Sequence, residues 1–79
     1  MKTIVAIPMA PYQSILSRFP IKSQEYALLK NGVVTEQGGS QVVNILCDEK
    51  RADNLCDLIN RISPEFISAI HKVTLPPDS

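Results

Sequence analysis

The chain has 79 residues, of which 44% are hydrophobic and 20% are charged, and its eight basic residues balance eight acidic ones. This length predicts one domain, residues 1–79, whose small core usually needs disulfides, metal or oligomerisation for added stability. A neutral chain without a run of Lys and Arg has no electrostatic footprint for nucleic acid, and no apolar stretch approaches the ~18 residues of a membrane-spanning helix. We therefore expect no nucleic-acid partner and no membrane span.

The N-terminal segment predicts a strand followed by a short helix. Residues 3–7, TIVAI, are a β-branched run that ends at Pro8. The apolar part before this proline is too short for a signal peptide, so we expect a cytoplasmic protein. Residues 11–19, PYQSILSRF, predict a helix with Pro11 in its first turn and Pro20 after its end.

Residues 20–37 are compatible with three structures. Asn31-Gly32 between apolar residues is a hairpin signal, but the same dipeptide also ends helices. Ser23 could cap such a helix, beginning at Gln24. One long strand with a glycine bulge is the third alternative. We favour strand, because residues 33–35, Val-Val-Thr, continue the β character.

Gly38 and Gly39 precede residues 40–47, SQVVNILC, which predict the best strand of the chain. Two adjacent glycines raise the question of a phosphate-binding loop. A strand follows them rather than a helix, and no lysine follows them, so neither the P-loop nor the dinucleotide fingerprint fits. We expect a plain turn, and we retain Gly38, Gly39 and Ser40 as the candidate cofactor-binding residues.

Residues 48–63 predict the longest helix, with Asp48 as its N-cap and Ser63-Pro64 at its end. Its apolar residues recur at helical spacing on one face: Ala52, Leu55, Cys56, Ile59 and Ile62. Residues 65–75, EFISAIHKVTL, predict the last strand, and residues 76–79 a frayed tail.

The order β-α-β-β-α-β predicts an α+β fold of the ferredoxin-like type, a four-stranded antiparallel sheet with two helices on one face. Alternation nevertheless places large apolar side chains on both faces of the sheet. In the first strand, Val5 and Ile7 lie on one face and Ile4 and Ala6 on the other. In the strand of residues 40–47, Val42 and Leu46 lie opposite to Val43, Ile45 and Cys47. In the last strand, one face has Ile67, Ala69, Val73 and Leu75, and the other has Phe66 and Ile70. Because two helices cover only one face, we expect another copy of the chain on the other, or residues 20–37 as the alternative cover.

Few residues have the types or spacing needed for chemistry. Cys47 and Cys56 are too far apart along the predicted helix for a disulfide, so we expect two free thiols. His71 is the only histidine; it shares strand parity with Ala69 and Val73, which is compatible with partial burial, and we expect a structural or a surface histidine. We predict no metal ligands and no catalytic residues, because no converging cluster or nucleophile motif is present.

Three stretches, MKTIVAIPMAPYQSIL, NGVVTEQGG and VVNILCDEKRADNLCDLINRISP, together with the closing TLPPDS, resemble the nitrogen regulatory PII-like proteins. The resemblance implies a ferredoxin-like homo-oligomer, three copies first and two second. It also implies a non-enzymatic regulatory function with a small effector or protein partner, and it is the main reason to expect Gly38, Gly39 and Ser40 to contact an anion or nucleotide at a subunit cleft. PII-like proteins carry a long loop after the Val-Thr-Glu strand, whereas only Gln37 to Ser40 are available here.

The chain also resembles the CutA copper-tolerance family, which implies metal tolerance or metal binding as an alternative function. A stand-alone protein-interaction module is the remaining alternative.

Overall fold

The computed structural model describes residues 2–76, which form four strands, three α-helices and one 3-10 helix. Their order is β1 (Lys2–Pro8), α1 (Met9–Arg18), α2 (Gln24–Lys30), β2 (Val33–Gln37), β3 (Ser40–Asp48), α3 (Glu49–Ile62), the 3-10 helix (Pro64–Ala69) and β4 (His71–Thr74). The last three residues of the predicted C-terminal tail, 77–79, lie outside the described residues.

The four strands form one sheet in the order β2-β3-β1-β4, and every neighbouring pair is antiparallel. In the two central strands Val5 pairs with Ile45 and Ile7 with Val43, so their buried side chains point to the same face. All three α-helices pack on that face. The core consists of Val5, Ile7, Ile15, Phe19, Leu29, Val43, Ile45, Cys47, Ala52, Leu55 and Ile59. The prediction of an α+β fold with a four-stranded antiparallel sheet is confirmed.

Helix α1 begins directly after β1, two residues earlier than predicted, so that Pro11 lies in its first turn, where a missing N–H costs no helical hydrogen bond. Ile15 lies fully buried on its inner face. The helix ends before Phe19, whose extended backbone is the conformation favoured before a proline.

The segment favoured as strand around residues 24–30 is a helix, so that prediction is wrong and the capped-helix alternative is confirmed. The Ser23 hydroxyl accepts a hydrogen bond from the Tyr26 N–H at 3.1 Å, which satisfies one free donor of the first turn. The Tyr12 hydroxyl of α1 donates to the Leu29 carbonyl of α2 at 2.9 Å and joins the two helices. Burial, with a smaller contribution from Tyr26, raises the pKa of Tyr12.

Gly38 and Gly39 form the two-residue turn of a hairpin that joins β2 to β3. Their φ angles are 58° and 83°, and a type I′ turn requires positive φ at both central residues. Gln37 and Ser40 are the first paired residues on either side. The prediction of a tight turn between strands is confirmed.

Helix α3 has the predicted bounds and buries the predicted apolar face, with Ala52, Leu55 and Ile59 inaccessible to solvent. Asp48 occupies the N-cap position, but its side chain makes no capping hydrogen bond to the helix. Its carboxylate instead pairs with the Lys2 ammonium at 3.3 Å, across the β1–β3 register.

The last predicted strand is wrong in its first half. Residues 64–69 form a 3-10 helix that begins at Pro64, and only residues 71–74 form a strand. The partly buried Phe66, Ile67 and Ile70 pack against the core from this turn, so the strand parity assigned to residues 66–70 does not apply. The short β4 pairs with β1 at the edge of the sheet.

Candidate functional site

The face of the sheet opposite the helices is uncovered, and it is the principal candidate site. The cross-strand pairs that form its middle part are Ile4 with Leu46, Ile4 with Val73, Ala6 with Asn44, Ala6 with His71, Val33 with Asn44, and Thr35 with Val42. We call the surface formed by these nine residues the open sheet face. The predicted assignment of Ile4, Ala6, Val42 and Leu46 to the face opposite the core is confirmed.

Most of the open sheet face is apolar. Val33 is 65% exposed, Leu46 58% and Val73 53%, which places all three among the large hydrophobic side chains that remain most accessible. A shallow concavity of about 350 Å³ lies over the central strands, with Ile4, Ala6 and Val42 in its lining. An exposed apolar surface of this size usually marks a site of contact with another molecule.

The amide of Asn44 is the polar group at the centre of this face, and its donors are already used within the sheet. It donates to the Thr35 hydroxyl at 2.8 Å and to the Val33 carbonyl at 3.4 Å. A polar side chain with internal partners can be removed from water at a much lower cost than one without them. The open sheet face is therefore suited to desolvation.

The alternative that residues 20–37 cover the open sheet face is not what the structure shows. Leu29 of α2 lies fully buried in the core on the helical side of the sheet. Gly32 contacts the Val43 side chain, which points to that same side. Strand β2 extends the sheet instead of crossing it.

The candidate cofactor-binding residues Gly38, Gly39 and Ser40 lie at the tip of the β2–β3 hairpin. Gly39 and Ser40 line a shallow depression that also includes Pro8 and Met9 at the start of α1. Among the described side chains that line it, none is a cation and Glu36 is an acid. This lining offers an anion no opposite charge, so contact with a phosphate would rest on backbone N–H groups alone.

His71 is exposed at the start of β4, on the open sheet face beside Ala6. His71 is therefore a surface histidine, one of the two expected alternatives, and it is not partly buried. The expected parity partner Ala69 belongs to the 3-10 helix, whereas Val73 does share its face.

Both cysteines are free thiols, as predicted, and both lie on the helical side. Cys47 is the more buried, at 6% exposure, and Cys56 is partly buried. Burial is the main cause that raises the pKa of each thiol. A raised pKa lowers the thiolate fraction at neutral pH, so neither side chain has the character of an activated nucleophile.

Within residues 2–76, no group of three or more His, Cys, Asp or Glu side chains is arranged to hold a metal ion. In the same part of the chain, none of the helices combines the length and the apolar character that crossing a membrane requires. Comparison with protein-family models, with curated proteins and with solved structures finds no match.

Sequence reasoning missed Val33, Thr35 and Asn44 as members of the open sheet face. Their membership follows from the β2–β3 register, which the glycine turn sets by pairing Gln37 with Ser40. Counting back from that turn pairs Thr35 with Val42 and Val33 with Asn44, so the signal was present once β2 was taken as a strand of the hairpin.

Proposed function

We propose that the chain is a small non-enzymatic regulatory protein of the cytoplasm, which assembles into a homo-oligomer through the open sheet face and binds a small effector or a protein partner. The observation that carries the proposal is the apolar sheet face that no segment of residues 2–76 covers.

The proposal includes a ferredoxin-like, PII-like architecture. The strand order β2-β3-β1-β4 supports it, as do the helical connections from β1 to β2 and from β3 to β4. The chain adds α2 and the 3-10 helix to that arrangement. Three copies is the number that the PII resemblance favours, and two is the alternative.

Geometry sets the strength expected of this assembly. Four strands spaced about 4.8 Å apart, each with about six residues at 3.3 Å, give a face of roughly 400 Å² per copy. That is about half of the ~800 Å² that each partner contributes to a standard interface. At ~25 cal/mol per Å² the gross gain is roughly 10 kcal/mol per copy, or roughly 20 kcal/mol for two faces in contact, and association costs about 4–15 kcal/mol of it. We therefore expect micromolar rather than nanomolar association.

Charge does not oppose the packing of one copy on another. None of the nine residues of the open sheet face is Asp, Glu, Lys or Arg, and the chain has no net charge. The Lys2–Asp48 pair lies at one end of the face and neutralises itself. Two such faces can therefore approach without like-charge repulsion.

Sedimentation equilibrium at low micromolar concentration tests the proposal, with two variants. We expect wild type to sediment as a multiple of 8.7 kDa and Leu46→Glu as a single chain, since a carboxylate on the face would be desolvated without a partner. Ile21→Glu is the matched control, because Ile21 is 76% exposed but lies outside the sheet. Wild type that sediments as a single chain at every concentration in the low micromolar range would overturn the proposal.

Effector binding is tested separately by native mass spectrometry of protein purified without added ligand. This measurement reports the subunit number and any bound mass together. If binding involves the hairpin tip, replacing Ser40 with a bulkier side chain should remove the bound mass and leave the subunit number unchanged.

A further inference from the structure

The two edges of the sheet differ in how far they are protected from pairing with another strand. At one edge β4 has four residues, its Lys72 pairs with Asp53 of α3, and Pro76 follows it closely. Short length, lysine and proline are features that prevent edge-to-edge association. This edge is protected.

At the other edge, β2 has none of these protections. All five of its residues are exposed, it contains neither Lys nor Pro, and its register with β3 continues from Val33 to Gln37 without a bulge. Val33 and Val34 lie on opposite faces and are 65% and 48% exposed. No other strand of the described residues runs along the outer side of β2.

The hairpin turn determines which backbone groups point outward. In a two-residue hairpin the pair that flanks the turn is hydrogen-bonded, and hydrogen-bonded and non-bonded pairs then alternate. Gln37, Thr35 and Val33 therefore direct their N–H and C=O groups towards β3. The side-chain amide of Asn44 donates a hydrogen bond to the Val33 carbonyl, which agrees with this assignment. Val34 and Glu36 direct theirs away from the sheet.

We propose that β2 pairs in the antiparallel sense with β2 of a second copy, about a two-fold axis at Thr35. Val34 of each copy is then opposite Glu36 of the other. Each of these two pairs exchanges both of its backbone hydrogen bonds, so all four outward groups on each strand are satisfied. The result is one continuous eight-stranded sheet.

Charge selects this register and favours a second copy as the occupant. Glu36 is the sole charged residue of β2. In the register centred on Thr35 it lies opposite a valine, whereas a shift that centres the axis on Glu36 would set two carboxylates against each other. A shift in the other direction would leave Glu36 opposite Gly32, beyond the strand. Self-pairing in one register thus satisfies every outward group and separates the like charges.

The pairing extends the open sheet face and does not use it. Thr35 lies on that face, so two copies joined at β2 present one surface of twice the area. A contact between two five-residue strands buries little area by itself, and we therefore expect it at submillimolar concentration, where the face contact is already formed. Because the two contacts use different atoms, one can fail without the other.

Amide hydrogen exchange followed by NMR at increasing protein concentration tests the pairing. We expect the Val34 and Glu36 amides to exchange on the order of tenfold more slowly in the concentrated sample, while the Thr35 amide is protected at every concentration by its bond to β3. The same result is expected in Leu46→Glu, in which the face contact is absent. Exchange of Val34 and Glu36 that does not depend on concentration would overturn the pairing, whatever the fate of the face contact.

A pair of variants provides the second measurement. Glu36→Pro removes one outward N–H and leaves the β2–β3 hydrogen bonds in place, whereas Glu36→Ala keeps that N–H. In the Leu46→Glu background at submillimolar concentration, we expect Glu36→Ala to sediment at twice the chain mass and Glu36→Pro as a single chain. Equal masses for the two variants would contradict the pairing. If Glu36→Pro loses the circular dichroism of the folded chain, the exchange measurement decides alone.

Discussion

Thr3 is the one residue of β1 whose polar atom is buried without a partner. Its side chain is inaccessible to solvent on the helical side of the sheet, between the register partners Cys47 and Thr74. Within the described residues its hydroxyl has no hydrogen-bond partner. A buried hydroxyl in this state lowers stability by the cost of its desolvation, about 1–3 kcal/mol.

We expect Thr3→Val to raise the free energy of unfolding by about 1 kcal/mol, because it replaces the hydroxyl with a methyl group of similar shape. Urea denaturation measures the change. Thr3→Ala is the control and should lower stability, since it removes the hydroxyl but leaves a cavity. A valine variant no more stable than wild type would show that the hydroxyl has a partner that compensates its burial.

Alternation along β1 and β3 was sufficient to predict which side chains are buried, because period 2 places Val5 and Ile45 on one face and Ile4 and Leu46 on the other. The internal hydrogen bonds of Asn44 were not predictable in the same way. They depend on which residue of β2 lies opposite, and that follows from the register rather than from the type of residue at position 44.

Two elements were mispredicted because local patterns fit more than one structure. Asn31-Gly32 ends a helix as readily as it turns a hairpin, and α2 has only seven residues, too few to show a clear helical period. In residues 64–69 the apolar spacing also suits a strand, but Pro64 begins a 3-10 turn that packs Phe66 and Ile67 against the core. Tertiary packing decided both cases. Helix α3 has fourteen residues, so its apolar residues repeat over enough turns for the helical period to be recognised.

Gly32 joins α2 to β2 and is required there by close packing. A Cβ at this position would collide with the Val43 side chain and lie 3.2 Å from the Ile45 side chain. Gly32→Ala should therefore lower the free energy of unfolding by about 1–3 kcal/mol through overpacking of the sheet against α2. Thermal or urea unfolding measures the loss.

The matched control for this connection is Gly38→Asn in the hairpin. A Cβ at Gly38 would have no neighbour within 4 Å, and asparagine followed by glycine suits a type I′ turn despite the positive φ of 58°. This variant should be close to wild type in stability. If Gly32→Ala were equally well tolerated, α2 and the sheet would be less closely packed at this junction than the structure indicates.

At the scale of the whole molecule, the sequence predicted an uncovered apolar face but not how large it is. Parity counts identify which side chains share a face, whereas the area of that face depends on how many strands pair and over what length. The structure places all three helices on one side, so the chain is a two-layer molecule with extents of 38 × 31 × 20 Å. A chain of this length buries a modest fraction of its surface, and covering a second face would add to a small stability.

Because covering the second face would add to stability, we expect the stability of the chain to depend on protein concentration. If copies associate through the open sheet face, unfolding is linked to dissociation, and a two-copy assembly gains about 1.4 kcal/mol for each tenfold rise in concentration. The urea midpoint of wild type should rise measurably between low and high micromolar samples. The midpoint of Leu46→Glu should be the same in both, and that of Ile21→Glu should follow wild type. A wild-type midpoint that does not move across this range would mean that the folded chain is stable without a covered sheet face, and assembly through that face would then lose its energetic basis.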